Sequence, residues 1–279
     1  GASLAQLKEG INSELSITNL EFDILDKNCK VTKANGHAIM KDGAIVMDSL
    51  QFNINDNDFY LQGTLSDFPA LLHKYDRLIN VSLEGKSKKI DIREIMSFVD
   101  PINSAPDEFI EDLSFKLAFE SKPNDLLNFK YLPKGEFFVD DFYAKFKNYP
   151  HTLHDFHVDI VIDNSALKVK DFTGMIDNTD FHFTGKIDNY PKWFQATPKG
   201  DSNIEFILDS KHFELNDLLT YNGQNYLPES YRDEILQNTK IDGKIAIHYD
   251  QGFQSLDLYL NDFTAKMNLH PLKIEKFKG

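Results

Sequence analysis

The sequence predicts a mainly β chain with a few short helices, built as tandem antiparallel β-modules that form a curved, taco-like or groove-shaped sheet. Three observations predict it: apolar and polar residues alternate through most of the chain, a block of about 122 residues is duplicated, and helical signals are few and short.

Alternation is the mark of a strand with one buried face, because successive side chains leave a strand on opposite sides. Leu50, Phe52 and Ile54 alternate with Ser49, Gln51 and Asn53. The same pattern runs through Phe59, Leu61 and Leu65; Ile79, Val81 and Leu83; Leu113, Phe115, Leu117 and Phe119. It returns in Val158, Ile160 and Ile162; Phe181, Phe183 and Ile187; Ile204, Phe206 and Leu208; and Leu256, Leu258 and Leu260. Strands that are apolar on one side only belong to antiparallel sheets.

The duplication sets the organisation. Asp58 to Pro69 lies over Asp180 to Pro191 without a gap, at an offset of 122, and Ser87 to Ile92 lies over Ser210 to Leu215 with one further residue inserted. A third copy begins where Asp262-Phe263-Thr264-Ala265-Lys266 repeats Asp141-Phe142-Tyr143-Ala144-Lys145. The chain accordingly divides into an N-terminal lead-in (1–18), a first β-module (19–140), a second (141–261) and the start of a truncated third (262–279). Units this long are multi-strand modules rather than solenoid rungs.

Between Ile54 and Phe59 the run Asn55-Asp56-Asn57-Asp58 tolerates left-handed backbone, as does Asp177-Asn178-Thr179-Asp180, so both are expected as hairpin turns. Gly63 and Gly185 fall on the apolar side of their strands, where a missing side chain marks a bend, a bulge or a close approach. Pro69 and Pro191 follow at matching places. Helices are expected over Asp67 to Arg77, Asp91 to Phe98, Glu214 to Tyr221 and Pro228 to Gln237, with Asp67 as an N-cap.

A four-turn helix shields a strip of roughly 10 Å by 20 Å, whereas a dozen strands present more than about 1,000 Å² of apolar face. The helices are too few to cover that area. Either two inner faces meet as a sandwich or they stay apart around an apolar groove, and the sequence leaves both open.

Composition excludes other classes. With 41% hydrophobic residues, 23 Phe and 11 Tyr, the chain has ample core material and is not a disordered segment. A formal charge of −14 opposes phosphate neutralisation, so nucleic acid is a poor partner. Cys29 is the only cysteine, which precludes an intrachain disulfide. No run reaches the roughly 20 apolar residues of a membrane helix. A start at Gly1 is expected for a fragment of a larger protein, with a membrane anchor outside it.

Candidate chemical sites have simpler explanations. His151, His154 and His157 are closely spaced, yet a strand puts positions 151 and 154 on opposite faces, so no metal is expected. The string Asn53 to Asp58 lacks the turn glycine and terminal glutamate of a calcium loop. Asp140-Asp141 and Asn261-Asp262 recur at equivalent repeat positions, which suits a structural role better than paired acid and base. No nucleophile elbow, phosphate loop or zinc-protease motif occurs, and Cys29 has no persuasive histidine partner, so no enzymatic activity and no cofactor are expected.

Gly43 to Leu50, followed by Asp58 to Phe68, resembles AsmA-like proteins of bacterial envelopes, as does Ser165 to Tyr190. Both copies show an apolar strand, a turn, and an F-x-Φ-x-G-x-Φ strand that runs into a short helix. The resemblance rests on this pattern and one glycine per copy, and covers most of both repeats. It implies a periplasmic protein anchored at its N-terminus, whose β-modules form a lipid-holding groove of the kind found in chorein-type bridges, with a role in outer-membrane biogenesis or lipid homeostasis. The implied partners are lipid or another apolar ligand, and envelope proteins. The residues expected along the groove or core face are Leu50, Phe52, Ile54, Phe59, Leu61, Leu65, Val158, Ile160, Ile162, Phe181, Phe183 and Ile187, with Gly63, Gly185, Pro69 and Pro191 as structural repeat positions. The alternative is a structural, protein-binding β-array with a closed core and no lipid.

Overall fold

The computed structural model describes residues 12–24, 29–99, 108–127, 132–270 and 273–279. It is mainly β, with a long antiparallel sheet and a few short helices. Contacts divide the chain into two units: 1–126 with 139–150, and 127–138 with 151–279.

In the first unit β1 (Ser13–Ile24), β2 (Cys29–Lys41), β3 (Ala44–Ile54), β4 (Asn57–Leu65), β5 (Ile79–Asp91) and β6 (Phe109–Ser121) pair antiparallel, each with its predecessor. Strand β7 (Gly135–Phe146) is divided between the units. The second unit continues with β8 (Thr152–Ile162), β9 (Ala166–Ile176), β10 (Thr179–Asp188) and β11 (Lys199–Glu214). A two-stranded hairpin, β12 (Thr220–Tyr221) and β13 (Gln224–Asn225), stands apart from the ladder. The ladder resumes with β14 (Ile235–Asp250), β15 (Phe253–Met267) and β16 (Lys273–Phe277). Fourteen strands are thus hydrogen-bonded in sequence order, and the ladder ends at β1 and β16 instead of closing.

The duplication is visible in backbone detail. Strands β3 and β9 are both 11 residues long and start 122 residues apart. In β2 an extra residue is inserted between Thr32 and Asn35, where Lys33 has φ 52°; in β8 the insertion lies between His154 and His157, where Asp155 has φ 55°. A further bulge between Met47 and Leu50 in β3 recurs between Val169 and Phe172 in β9. Each adds one residue and so keeps apolar side chains on one face through an apparent break in alternation. The module boundaries drawn at 140/141 and 261/262 fall inside β7 and β15; the strand starts Ser13, Gly135 and Phe253 mark the same repeat at element ends.

Turns follow from their residues. Asp42 and Gly43, both with positive φ, close the β2–β3 hairpin, and Asn55 (φ 51°) and Asp177 (φ 48°) open the two expected turns. The helices are α1 (Phe68–His73), α2 (Ile92–Val99), α3 (Pro123–Leu127) and α4 (Leu215–Leu219); α2 has the length the sequence suggests, one residue further on, while α1 and α4 are shorter than expected. Asp67 caps α1 by accepting from Ala70 N at 2.8 Å. The helix expected over Pro228 to Gln237 is not formed. Only a 3-10 turn, Glu229–Tyr231, is present, because Ile235 onward pairs with β11 across a long ladder that outweighs local propensity. The second copy's Tyr190–Phe194 is a 3-10 turn at the place of α1, and α3 has no counterpart in the expected helices.

Candidate functional site

Cross-strand registers show how the apolar side chains gather. In the first unit Leu50 lies opposite Leu61 and Phe52 opposite Phe59, with the two rings stacked at 5.2 Å. Gly63 faces Met47 and Leu83, and Leu65 faces Ile45 and Val81. The row continues through Phe119, Leu117 and Phe115 on β6, opposite Val81, Leu83 and Gly85. Toward β1, Ile54 meets Val31 and Val31 meets Phe22, while Leu15 meets Ala38. One face of the first unit is therefore apolar from β1 to β6.

The second unit repeats this. Val158 lies opposite Phe172 and Phe172 opposite Phe183; Ile160 leads through Val169 to Gly185; Ile162 leads through Leu167 to Ile187. Phe181 lies opposite Gly174, and the rings of Phe156, Phe172 and Phe181 meet edge to face at 5.1–5.6 Å. Beyond β10 come Ile204, Phe206 and Leu208, then Ile245 and Ile241, then Leu258. The register thus brings each unit's predicted residues onto one face.

Gly63 and Gly185 are close approaches. A Cβ on Gly63 would lie 2.3 Å from the carbonyl oxygen of Ser82, and one on Gly185 2.6 Å from that of Glu205. At Gly174 and Gly85 the vacant space is filled by the rings of Phe156 and Phe115. Pro69 is buried in α1 and packs toward Gly43 of the β2–β3 turn, and Pro191 is half-buried in the 3-10 turn.

Burial is distributed in an unusual way. Of the seven largest fully buried side chains, Glu234, Asn57, Thr179, Ser121 and Ser202 are polar, and Ile79 and Pro123 are not. These seven sit at or near strand ends, turns and helix junctions, while the small Ala144 and Ala265 are fully buried within β7 and β15. Glu94 of α2 binds the Asn55 and Asn57 amides of the β3–β4 turn, and Phe68 N donates to Gly43 O. The middle of the apolar face is half-buried, and its outlying side chains are open: Leu15 is 59% exposed, Phe22 45%, Leu256 50% and Leu258 53%. Val158 and Ile162 are the predicted face residues that are buried. At one end of the second unit's face the Trp193 indole donates to Ser202 Oγ at 3.0 Å.

The opposite face is polar and laced by cross-strand charge pairs. His37 places Nε2 3.0 Å from Glu14 and Nδ1 2.7 Å from Asp48. His248 stands likewise between Asp201 at 2.9 Å and Asp257 at 3.2 Å. Hydrogen bonds to these carboxylates raise the pKa of both imidazoles.

His151 is held by Asp177 at 2.7 Å and His154 by Asp155 at 2.7 Å, and among the described residues no group of three potential ligands is placed to hold a metal. No helix among them is long and apolar enough to cross a membrane. Sequence reasoning passed over Glu108 and Glu234, both buried, which stand just before β6 and β14. The recurring Asp-Glu followed by two apolar residues, at 107–110 and 233–236, was the available signal. Comparison of the chain with known protein families, with curated proteins and with solved structures returns no match.

Proposed function

We propose that this chain is a non-catalytic module that holds or conducts lipid along the apolar face of its β-units, as part of a membrane-anchored protein on the periplasmic side of a bacterial envelope. The supporting observation is the inverted burial. The large fully buried side chains lie at strand ends and turns, and within the strands the buried apolar residues are small ones such as Ala34, Val158 and Val169, while most of the Leu, Ile and Phe along the face of each unit keep substantial exposure. Large uncovered apolar patches on a soluble chain mark surfaces that receive a partner.

An acyl chain of about 16 carbons gains on the order of 10 kcal/mol when its methylenes leave water, at roughly 0.8 kcal/mol each. Such a ligand needs no specific polar residue, which fits a face made of aliphatic and aromatic side chains. The residues assigned to contact it are Leu50, Phe52, Phe59, Leu61, Phe181, Phe183 and Ile187, with Leu256 and Leu258 beside them.

The test is native mass spectrometry of the purified chain together with extraction of bound phospholipid. We expect co-purified lipid, displaceable by a photoactivatable fatty acid that crosslinks to these residues. Protein that is empty and also refuses added lipid would overturn the reading.

A further inference from the structure

The second unit contains a groove of about 800 Å³ lined by residues that include Gly185 and Gly243. Its lining also includes Lys168, Lys170, Lys186 and Lys244, a concentration of cations in a chain of net charge −14. Three of them belong to a single row across the sheet. Lys168 on β9 lies directly opposite Lys186 on β10, which lies opposite Glu205 on β11, which lies opposite Lys244 on β14, which lies opposite Tyr259 on β15.

Two lysines at directly opposed antiparallel positions repel one another, so the pairing costs stability unless an anion joins them. The acids nearby compensate only in part. Lys186 Nζ reaches Asp188 at 2.8 Å, Lys244 reaches Glu205 at 4.0 Å, and Lys170 lies 3.4 Å from Glu136 and 3.5 Å from Asp159. Asp242 is a further acid in the lining, bound by the Asn261 amide at 2.9 Å. Lys168 has no carboxylate within salt-bridge distance among the described residues.

The duplication supplies an internal comparison. The same row in the first unit reads Val46 opposite Thr64, Thr64 opposite Ser82, and Ser82 opposite Ala118. The backbone frame is repeated and carries no charge there, so the fold does not require lysine at these positions. A row that is neutral in one copy and cationic in the other reflects something other than sheet formation.

We propose that this row is a binding site for a phosphate-bearing ligand of roughly disaccharide size, with its phosphate groups between Lys168, Lys186 and Lys244 and its uncharged part against the half-exposed ring of Tyr259. The volume lies within the usual range of about 300–1,000 Å³ for small-molecule sites. Lys168 and Lys244 are three strands apart, or about 14 Å along the row, which suits a ligand with two separated charges. The lysine row alternates in register with the apolar face, and the proposal does not use the lipid reading.

The first unit also prescribes the variants: Lys168→Val, Lys186→Thr and Lys244→Ala each install the residue that the sister repeat already carries. Calorimetric titration of the whole chain would use trehalose 6,6′-bisphosphate in one arm and phosphatidic acid in phosphatidylcholine vesicles in the other, at about 50 mM salt, where screening is weak. Trehalose and pure phosphatidylcholine are the uncharged controls. At least one charged probe should bind, with affinity reduced by about tenfold or more in the double variant K168V/K186T and by high salt. Lys41→Ala, in an exposed hairpin of the first unit, should bind as the parent does. A response confined to the soluble probe identifies a free phosphorylated saccharide as the source; one confined to vesicles identifies a lipid headgroup. Failure of both probes at millimolar concentration, or equal binding by the parent and K168V/K186T, would overturn the proposal. If K168V/K186T unfolds, the pair K168Q/K186Q takes its place under the same criteria.

Discussion

Glu108 and Glu234 occupy equivalent places in successive modules. Each precedes the strand that follows the second helix of its module, and each carboxylate accepts the backbone N–H of an asparagine in a later turn. The Asn148 N–H donates to Glu108 at 3.0 Å and the Asn268 N–H to Glu234 at 2.5 Å. Glu234 also receives the N–H groups of Leu269 and His270 at 2.9 and 3.2 Å and faces His270 Nδ1 at 2.7 Å. The backbone carbonyls match too, since Ile92 N donates to Glu108 O and Leu215 N to Glu234 O. A buried glutamate therefore ties the helix of one module to the first hairpin of the next.

The first prediction concerns Glu234. Burial raises its pKa, but the hydrogen bonds from His270, Leu269 and Asn268 outweigh that and hold it at about 2. A carboxyl whose folded pKa is depressed contributes stability above its unfolded value, near 4.5, and loses it as pH falls toward 2. Glu234→Ala should cost about 1–3 kcal/mol at neutral pH, because three backbone N–H groups lose their buried acceptor. Acid unfolding followed by circular dichroism should show a flatter profile for Glu234→Gln between pH 4.5 and 2 than for the parent. Equal slopes would count against the tie.

The glycines supply a second prediction. At Gly63 and Gly185 the atom that a Cβ would strike is a carbonyl oxygen, which has no rotamer to retreat to. Gly63→Ala and Gly185→Ala should each destabilise by about 1–3 kcal/mol. Urea midpoints with unchanged slopes would measure this. A loss within experimental error at both positions would mean that the strands separate freely there.

Much of this architecture was legible in the sequence because the side-chain period of a strand is two. The parity of Leu50, Phe52 and Ile54, or of Phe181 and Phe183, survives in the structure for that reason. It fails where a left-handed residue adds one to the count: Leu153 and Phe156 share a face although they are three apart, because Asp155 is inserted between them. The pairing of Glu108 with Glu234 was hidden for a different reason. The segment between the second helix and the following strand differs in length between the copies, so these residues lie 126 apart rather than 122. The lysine row was invisible because it crosses four strands, and its alignment depends on registers that no single segment encodes.

The paired histidines give a third prediction. With a carboxylate facing each ring nitrogen, His37 and His248 satisfy both contacts only as imidazolium, since the neutral ring has a single N–H. The folded pKa of each is raised above 6.5, so the stabilisation is complete below that pH and is lost as pH rises through the folded value. Proton NMR of the Cε1–H signals should place both midpoints above 6.5, and Glu14→Gln should move that of His37 downward without altering His248. A midpoint for His37 that ignores Glu14→Gln would refute the bracketing.

The last prediction separates an exposed apolar face from an ordinary core. Leu258 lies on the same face as Ile245 and Ile204 yet is 53% exposed, whereas Ile79 at a strand end is fully buried. If the face is a ligand surface, Leu258→Asp should change stability by less than about 1 kcal/mol, since little packing is lost. It should also lower lipid retention severalfold, because a charge in an acyl-chain contact must be desolvated without a partner. Ile79→Ala should do the reverse, costing about 2–4 kcal/mol through cavity formation while leaving lipid retention unchanged in the fraction that remains folded. Urea unfolding and extraction of co-purified phospholipid, performed on the same preparations, give both numbers for each variant. A Leu258→Asp variant that unfolds as readily as Ile79→Ala would mean that this face is packed against something and has no room for a guest.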